Sequence, residues 1–129
     1  MTPELTALSF AAILQIAQIA LYAVLANLQV GVKYSLGARD EPRHLSGIAA
    51  RAQRAMNNHF ESLLLFAIGC AVISISEKTS VATSVAAWTY VTARVLYVPA
   101  YCFGWTPWRT IFWSIGLGAV TVLLIGAVV

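Results

Sequence analysis

The chain has 129 residues, of which 60% are hydrophobic and only 10% charged, with a net charge of +3. Globular domains usually carry about a quarter charged residues, so a bilayer is the expected solvent and the length allows a single domain, residues 1–129. The small basic excess gathers around one connection and reads as membrane topology, which removes nucleic acid from the expected partners.

The first apolar segment, about residues 5–32, is too long for a signal-peptide core and has no basic region before it, so a retained first helix is expected. Gln15, Gln18, Tyr22 and Gln29 form a line along it, suited to hydrogen-bonding glue between helices. The stretch Tyr34 to Gly47 has the Gly, Pro and charge content of a solvated loop.

The second segment, about 48–76, opens with two arginines, two asparagines and a glutamate before an uncharged run from Ser62 to Ser76. At helical spacing Arg51, Arg54, Asn57, Asn58 and Glu61 fall in one arc of about 120°, while Gln53, Met56, His59 and Phe60 lie outside it. A tight polar turn, Ser76 to Ser80, leads to the third segment, about 80–103. On it Tyr90, Arg94, Tyr97 and Tyr101 stand at i, i+4, i+7 and i+11 and share a narrow face. Gly104-Trp105-Thr106-Pro107-Trp108 then breaks the chain, its tryptophans suited to a membrane–water boundary. Arg109 opens the last segment, about 109–128, where Ser114, Gly116, Gly118, Ala119 and Gly126 suggest close helix packing.

Each segment exceeds or approaches the roughly 20 residues that cross a bilayer. Only helices or closed barrels satisfy the backbone in lipid, and strand alternation is absent from the sequence pattern. The expected fold is all-α, a four-transmembrane-helix bundle. Lys33, Arg39, Arg43, Arg51 and Arg54 surround the first connection, and Arg94 and Arg109 flank the third; the other side has only Glu4, Glu77 and Lys78 near helix ends. The first and third connections are therefore expected in the cytoplasm and both termini opposite. The polar stripes then lie near the cytoplasmic face of a multi-pass protein.

Because the turn between the second and third helices is short, the two should be antiparallel neighbours. Folding about residues 77 and 78 places Glu61 level with Arg94, Asn58 with Tyr97 and Arg54 with Tyr101, in one subunit or between two. Glu61 and Arg94 can offset each other's desolvation. That leaves Arg51, Arg54 and Arg109 positive, beside the donors and acceptors of Asn57, Asn58, Tyr97 and Tyr101. Such a pocket suits a small anion with more than one carboxylate, and its apolar wall would admit a hydrophobic second molecule. Blander readings are arginines snorkelling to headgroups, a Glu61–Arg94 staple and tyrosines at the interface. The anchor reading does not explain why Asn58, Glu61 and Arg94 lie deeper on matching faces. Cys70 and Cys102 read as packing residues, His44 and His59 carry no expected site role, and no metal-ligand spacing is present.

At these residues the sequence resembles the MAPEG superfamily, membrane-associated proteins in eicosanoid and glutathione metabolism, and within it the microsomal glutathione transferases. The resemblance rests on Arg51-Ala-Gln-Arg-Ala-Met-Asn-Asn-His-Phe-Glu61 with Leu63-Leu-Leu-Phe66, similar to the family's Arg-x3-Asn-x2-Glu signature. It continues in Ala93-Arg-Val-Leu-Tyr97, Ala100-Tyr101 and Arg109, and covers nearly the whole chain. The resemblance implies a homotrimer in a bacterial inner membrane or an endoplasmic-reticulum-type membrane, with glutathione as co-substrate between subunits and no metal. By position, Arg51, Arg54, Asn58, Glu61, Arg94, Tyr97 and Tyr101 would contact glutathione. Arg109 would stabilise its thiolate with Tyr101 or Tyr97 assisting, and Lys33 stands roughly where many members have Arg. The family's proline soon after the glutamate is replaced by Leu64. The implied activity is a transferase or peroxidase acting on lipophilic electrophiles or lipid hydroperoxides. The alternative is a non-catalytic lipid-binding or scaffolding protein of the same fold.

Overall fold

The computed structural model describes residues 1–40 and 43–129; Glu41 and Pro42, inside the expected first loop, lie outside the described residues. Its elements are α1 (Pro3–Val30), α2 (Val32–Leu36), α3 (Gly47–Ile75), α4 (Val81–Cys102) and α5 (Trp108–Val128), with no strand among the described residues. The four long helices fall where the four apolar segments are expected.

Local chemistry sets their ends. Thr2 caps α1, its hydroxyl accepting from the Leu5 N–H, and Pro3 opens the helix where its missing N–H costs nothing. The helix therefore begins two residues before the apolar pattern does. At its far end Gly31 takes φ +87, a conformation that L side chains rarely adopt, and α1 stops at Val30. The chain then makes the short helix α2, which starts at the end of the expected first segment and runs into the stretch expected to be loop. Ser80 caps α4 in a reciprocal capping box with Thr83.

α4 lies against α5, α1 against α3, and α1 and α5 share no close backbone approach among the described residues. α3 and α4 pack on each other and each also touches both α1 and α5, so the two together stand between the outer helices. Small residues let the backbones approach. Ala7, Ala11, Ala52, Ala55, Ala87 and Ala100 are buried, and a Cβ added at Gly69 would come within 3.3 Å of the Leu123 Cβ. Gly116 packs on Arg94 and Tyr90 and Gly126 on Thr83, as expected of packing glycines. Gly118 differs: a side chain there would meet nothing within 4 Å, because it points away from the chain's own helices.

Three helices, α1, α3 and α5, are long and apolar enough to cross a membrane. α4 has 22 residues but is not among them. Thr83, Ser84, Thr89, Thr92, Arg94 and three tyrosines dilute it, and these are partly the residues that form its functional stripe. At the end near the termini, Glu4 is fully buried and accepts a 2.6 Å bond from the Thr83 hydroxyl.

Candidate functional site

Two polar seams leave α3 in opposite directions. Toward α1, the fully buried His59 bonds Gln15 at 2.7 Å; the amide oxygen can only accept, so the ring carries its proton on Nδ1. Gln53 donates to the Tyr22 hydroxyl at 3.4 Å, and Gln29 bonds both the N–H and the carbonyl of Ser46, ahead of α3. Gln15, Tyr22 and Gln29 thus act as the interhelical glue expected of them. Gln18 is buried on the same helix with no partner for its amide among the described residues. Cys70 and Cys102 are buried and free.

Toward α4 and α5 the groups are ionic. Arg51 Nε donates to the Cys102 carbonyl at 2.9 Å, placing a cation on a carbonyl that the last turn of α4 leaves over. Arg54 Nε donates to the Tyr101 hydroxyl at 3.0 Å, joining two residues expected at one level. Arg109 approaches the same tyrosine from the other side, its guanidinium carbon 4.8 Å from the ring centroid. Tyr97 meets Tyr101 edge to face at 5.5 Å.

Arg94 is only 2% exposed, with its guanidinium 4.1 Å from the Tyr97 ring centroid. Its Nη1 donates to Asn58 Oδ1 at 2.9 Å, while Nε and Nη2 are buried with no partner among the described residues. The expected Glu61–Arg94 pair does not form within the chain. Glu61 is exposed and bonds none of the described residues. Level arithmetic fixes height along a helix but not azimuth, and three residues beyond Asn58 the helix has turned by about 60°. Asn58 faces α4, and Glu61 looks outward.

Asn58, Tyr97, Tyr101 and Arg109 line one open cleft of about 250 Å³, together with Thr110 and Trp113. The sequence reading misses those last two, although Trp113 stands one turn after Arg109, a spacing that puts both on one face. Behind the cleft lies a cavity of about 30 Å³ lined by Ser62, Tyr90, Arg94, Trp113 and Gly116, among others. Tyr90 there bonds the Ser62 hydroxyl at 2.7 Å, so it belongs to the interior and not to the cleft. Arg51, Arg54 and Glu61 do not line the cleft. Arg51 and Arg54 are tied to α4 near it, and Glu61 is turned away.

The four arginines around this end bond neutral oxygens or lie on rings, and none has a carboxylate partner among the described residues. A low-dielectric wall beneath a cluster of uncompensated cations attracts anions, above all anions with several carboxylates or an ionisable thiol. No group of three or more potential metal ligands occurs among the described residues.

Three helices of this length and apolarity mark an integral membrane protein. The match to the MAPEG family model extends over residues 7–129, and the chain belongs to that family, which includes glutathione transferases and related proteins. No curated protein and no solved structure matches the chain.

Proposed function

We propose that the chain is a membrane-bound, glutathione-dependent transferase or peroxidase acting on lipophilic electrophiles or lipid hydroperoxides. The observation that carries this reading is Arg94, a buried cation with two donors uncommitted, beside a cleft walled by Arg109 and two tyrosines, in a MAPEG chain. On this reading α4 crosses the membrane with the other three long helices, and the arginine-rich end faces the cytoplasm. Arg54, Asn58 and Arg94, with Arg51, hold the carboxylates of glutathione by charge-assisted bonds. Glu61, exposed on one chain, completes the site from a neighbouring copy in a homotrimer and holds the glutathione amino group.

A thiol of ordinary pKa, about 8.5, is mostly protonated at neutral pH, yet the thiolate is the nucleophile. The Arg109 guanidinium favours the anion, and a hydroxyl from Tyr101 or Tyr97 donates a hydrogen bond to it. The thiolate then attacks an electrophilic carbon, whose leaving group departs with its electron pair. With a hydroperoxide it attacks the terminal oxygen, an S–O bond forming as the O–O bond breaks. The alkoxide leaves and takes a proton, and the resulting sulfenic acid condenses with a second glutathione to the disulfide and water. An apolar groove of about 450 Å³ between α4 and α5, walled by Trp88, Leu96, Phe112 and Ile115 among others, offers lipophilic molecules a lodging place in the membrane. The same groove supports the second reading, a lipid-binding protein without catalysis.

Titrating the purified protein with glutathione while recording thiolate absorbance tests the proposal. Saturable thiolate formation at neutral pH, with turnover of a standard aromatic electrophile, is the expected result. Absence of any glutathione binding turns the assignment to the lipid-binding reading.

A further inference from the structure

A basic recess is on the other side of α3 from the cleft. It is a cavity of about 460 Å³ whose described lining comes from the end of α1, from α2, from Arg39, Arg43, His44 and Leu45, and from Gln53 of α3. Its polar wall includes Arg39, Arg43 and His44; its apolar wall includes Ala23, Val30 and Leu45. No carboxylate is among its described lining residues, although the exposed Asp40 follows Arg39 directly.

Both arginines are exposed, yet neither is a freely moving surface cation. Arg39 donates from Nε and Nη2 to the Ser35 carbonyl at 3.1 and 2.9 Å, and Arg43 donates from Nη1 to the Val30 carbonyl at 2.6 Å. These carbonyls are at the ends of α2 and α1, where cations are stabilised. Arg43 also lies 4.3 Å from the centroid of the Tyr34 ring. Each guanidinium is thus anchored by one part of its fork and keeps other N–H groups for a further acceptor. Below them the α1 wall of the cavity is apolar at Ala23, Ala26 and Val30. Two anchored guanidiniums above an apolar helix face suit a tetrahedral anion joined to an acyl chain, the chemistry of basic pockets that bind lipid headgroups.

We infer that this cavity binds a phosphate group, carried on an anionic phospholipid or free in solution. The inference is independent of glutathione binding, because Arg39, Arg43 and Ala23 take no part in the cleft.

Native mass spectrometry of the whole protein in mild detergent, titrated with phosphatidylglycerol or with phosphatidylcholine of the same chains, tests it; a parallel arm adds inorganic phosphate alone. Preferential retention of phosphatidylglycerol is expected, falling about 30-fold in the Arg39→Gln/Arg43→Gln variant, as two lost charges of about 1 kcal/mol each require. Ala23→Trp, which fills the cavity and leaves both arginines, should also lower retention, and covers the case in which the double variant fails to fold. Lys33→Gln, a nearby exposed cation outside the cavity, should cost less than Arg43→Gln. If inorganic phosphate binds as tightly as phosphatidylglycerol and the same variants abolish it, the ligand is free phosphate and the site stands. Equal retention of both lipids with no phosphate binding overturns the inference. So does a preference that survives the Arg39, Arg43 and Ala23 variants, or a loss in Lys33→Gln equal to that in Arg43→Gln.

Discussion

Along α3, the face toward α1 and the face toward α4 and α5 are both polar, but they differ in the charge of what remains uncommitted among the described residues: the neutral Gln18 amide and His59 Nε2 on the α1 side, guanidinium donors of Arg94 on the other. On the α1 side, neutral amides, an imidazole and a phenol join in pairs such as Gln15–His59 and Gln53–Tyr22. On the other side, four guanidiniums meet only carbonyls, hydroxyls, an amide oxygen and aromatic rings. Neutral pairs satisfy each other and hold two helices together. Cations with neutral partners keep most of their charge uncompensated, which is the condition for attracting an anion from outside. The difference separates structural polarity from functional polarity on a single helix.

The sharpest way to break this comparison is at Arg109 and Arg54. Arg109→Ala should lower turnover with an aromatic electrophile by about 100- to 1,000-fold, the usual loss when one donor to a developing anion is removed. Its effect on glutathione affinity should be small. Arg54→Ala should instead weaken affinity by roughly 10- to 100-fold, the equivalent of a charge-assisted bond, with turnover at saturation largely kept. Steady-state kinetics and calorimetry separate the two. Wild-type turnover in Arg109→Ala would remove the cleft from the chemistry.

Next in size is the bond that replaced the expected ion pair. A double-mutant cycle on Asn58→Ala and Arg94→Gln, read by unfolding in detergent, should give a coupling of about 1.5–3 kcal/mol, the range for a hydrogen bond to a charged group. A second cycle on Glu61→Gln and Arg94→Gln in dissociated chains should be additive within about 0.5 kcal/mol. Coupling that appears only in the assembled protein would place Glu61 opposite a neighbour's arginine.

The Glu61–Arg94 pair, absent within the chain, marks the limit of what the sequence carries. Segment lengths, the short turn at 76–80 and Pro107 before Arg109 are local signals, and the four long helices follow them closely. The Arg54–Tyr101 contact is legible because both residues face each other at one level. Glu61 fails the same test through rotation, which depends on how α3 rolls against α4 and so on the alanines and glycines between them. The break at Gly31 is legible only as a glycine; its positive φ is a property of the folded backbone. α4 shows the opposite conflict, since Tyr97 and Tyr101, which line the cleft, and Arg94 behind it are among the residues that lower its apolarity.

On the α1 side, His59→Leu should cost about 1–3 kcal/mol of stability, because it strands the buried Gln15 amide. Adding Gln15→Leu should recover most of that loss, since replacing both partners by apolar groups removes the unsatisfied amide. Turnover per folded molecule should not change in either variant. If His59→Leu abolishes turnover while the protein stays folded, the α1 seam belongs to the site and the comparison fails.

The smallest expected effect is at Tyr22. Its hydroxyl accepts from Gln53 at 3.4 Å, near the limit of a useful hydrogen bond, and neither residue is fully buried. Tyr22→Phe removes the acceptor and keeps the ring, so no packing is lost and the Gln53 amide stays within reach of other partners. Without a stranded buried group the change should be about 0.5 kcal/mol or less. Thermal unfolding in detergent should therefore barely move, and glutathione-dependent turnover should stay at the wild-type level. The value of the measurement lies in its contrast with Tyr101, another phenol that accepts from an α3 side chain but stands between two guanidiniums. Tyr101→Phe should lower turnover where Tyr22→Phe does not. Equal losses in the two variants would show that a hydroxyl against α3 matters for packing alone, whichever side of the helix it is on.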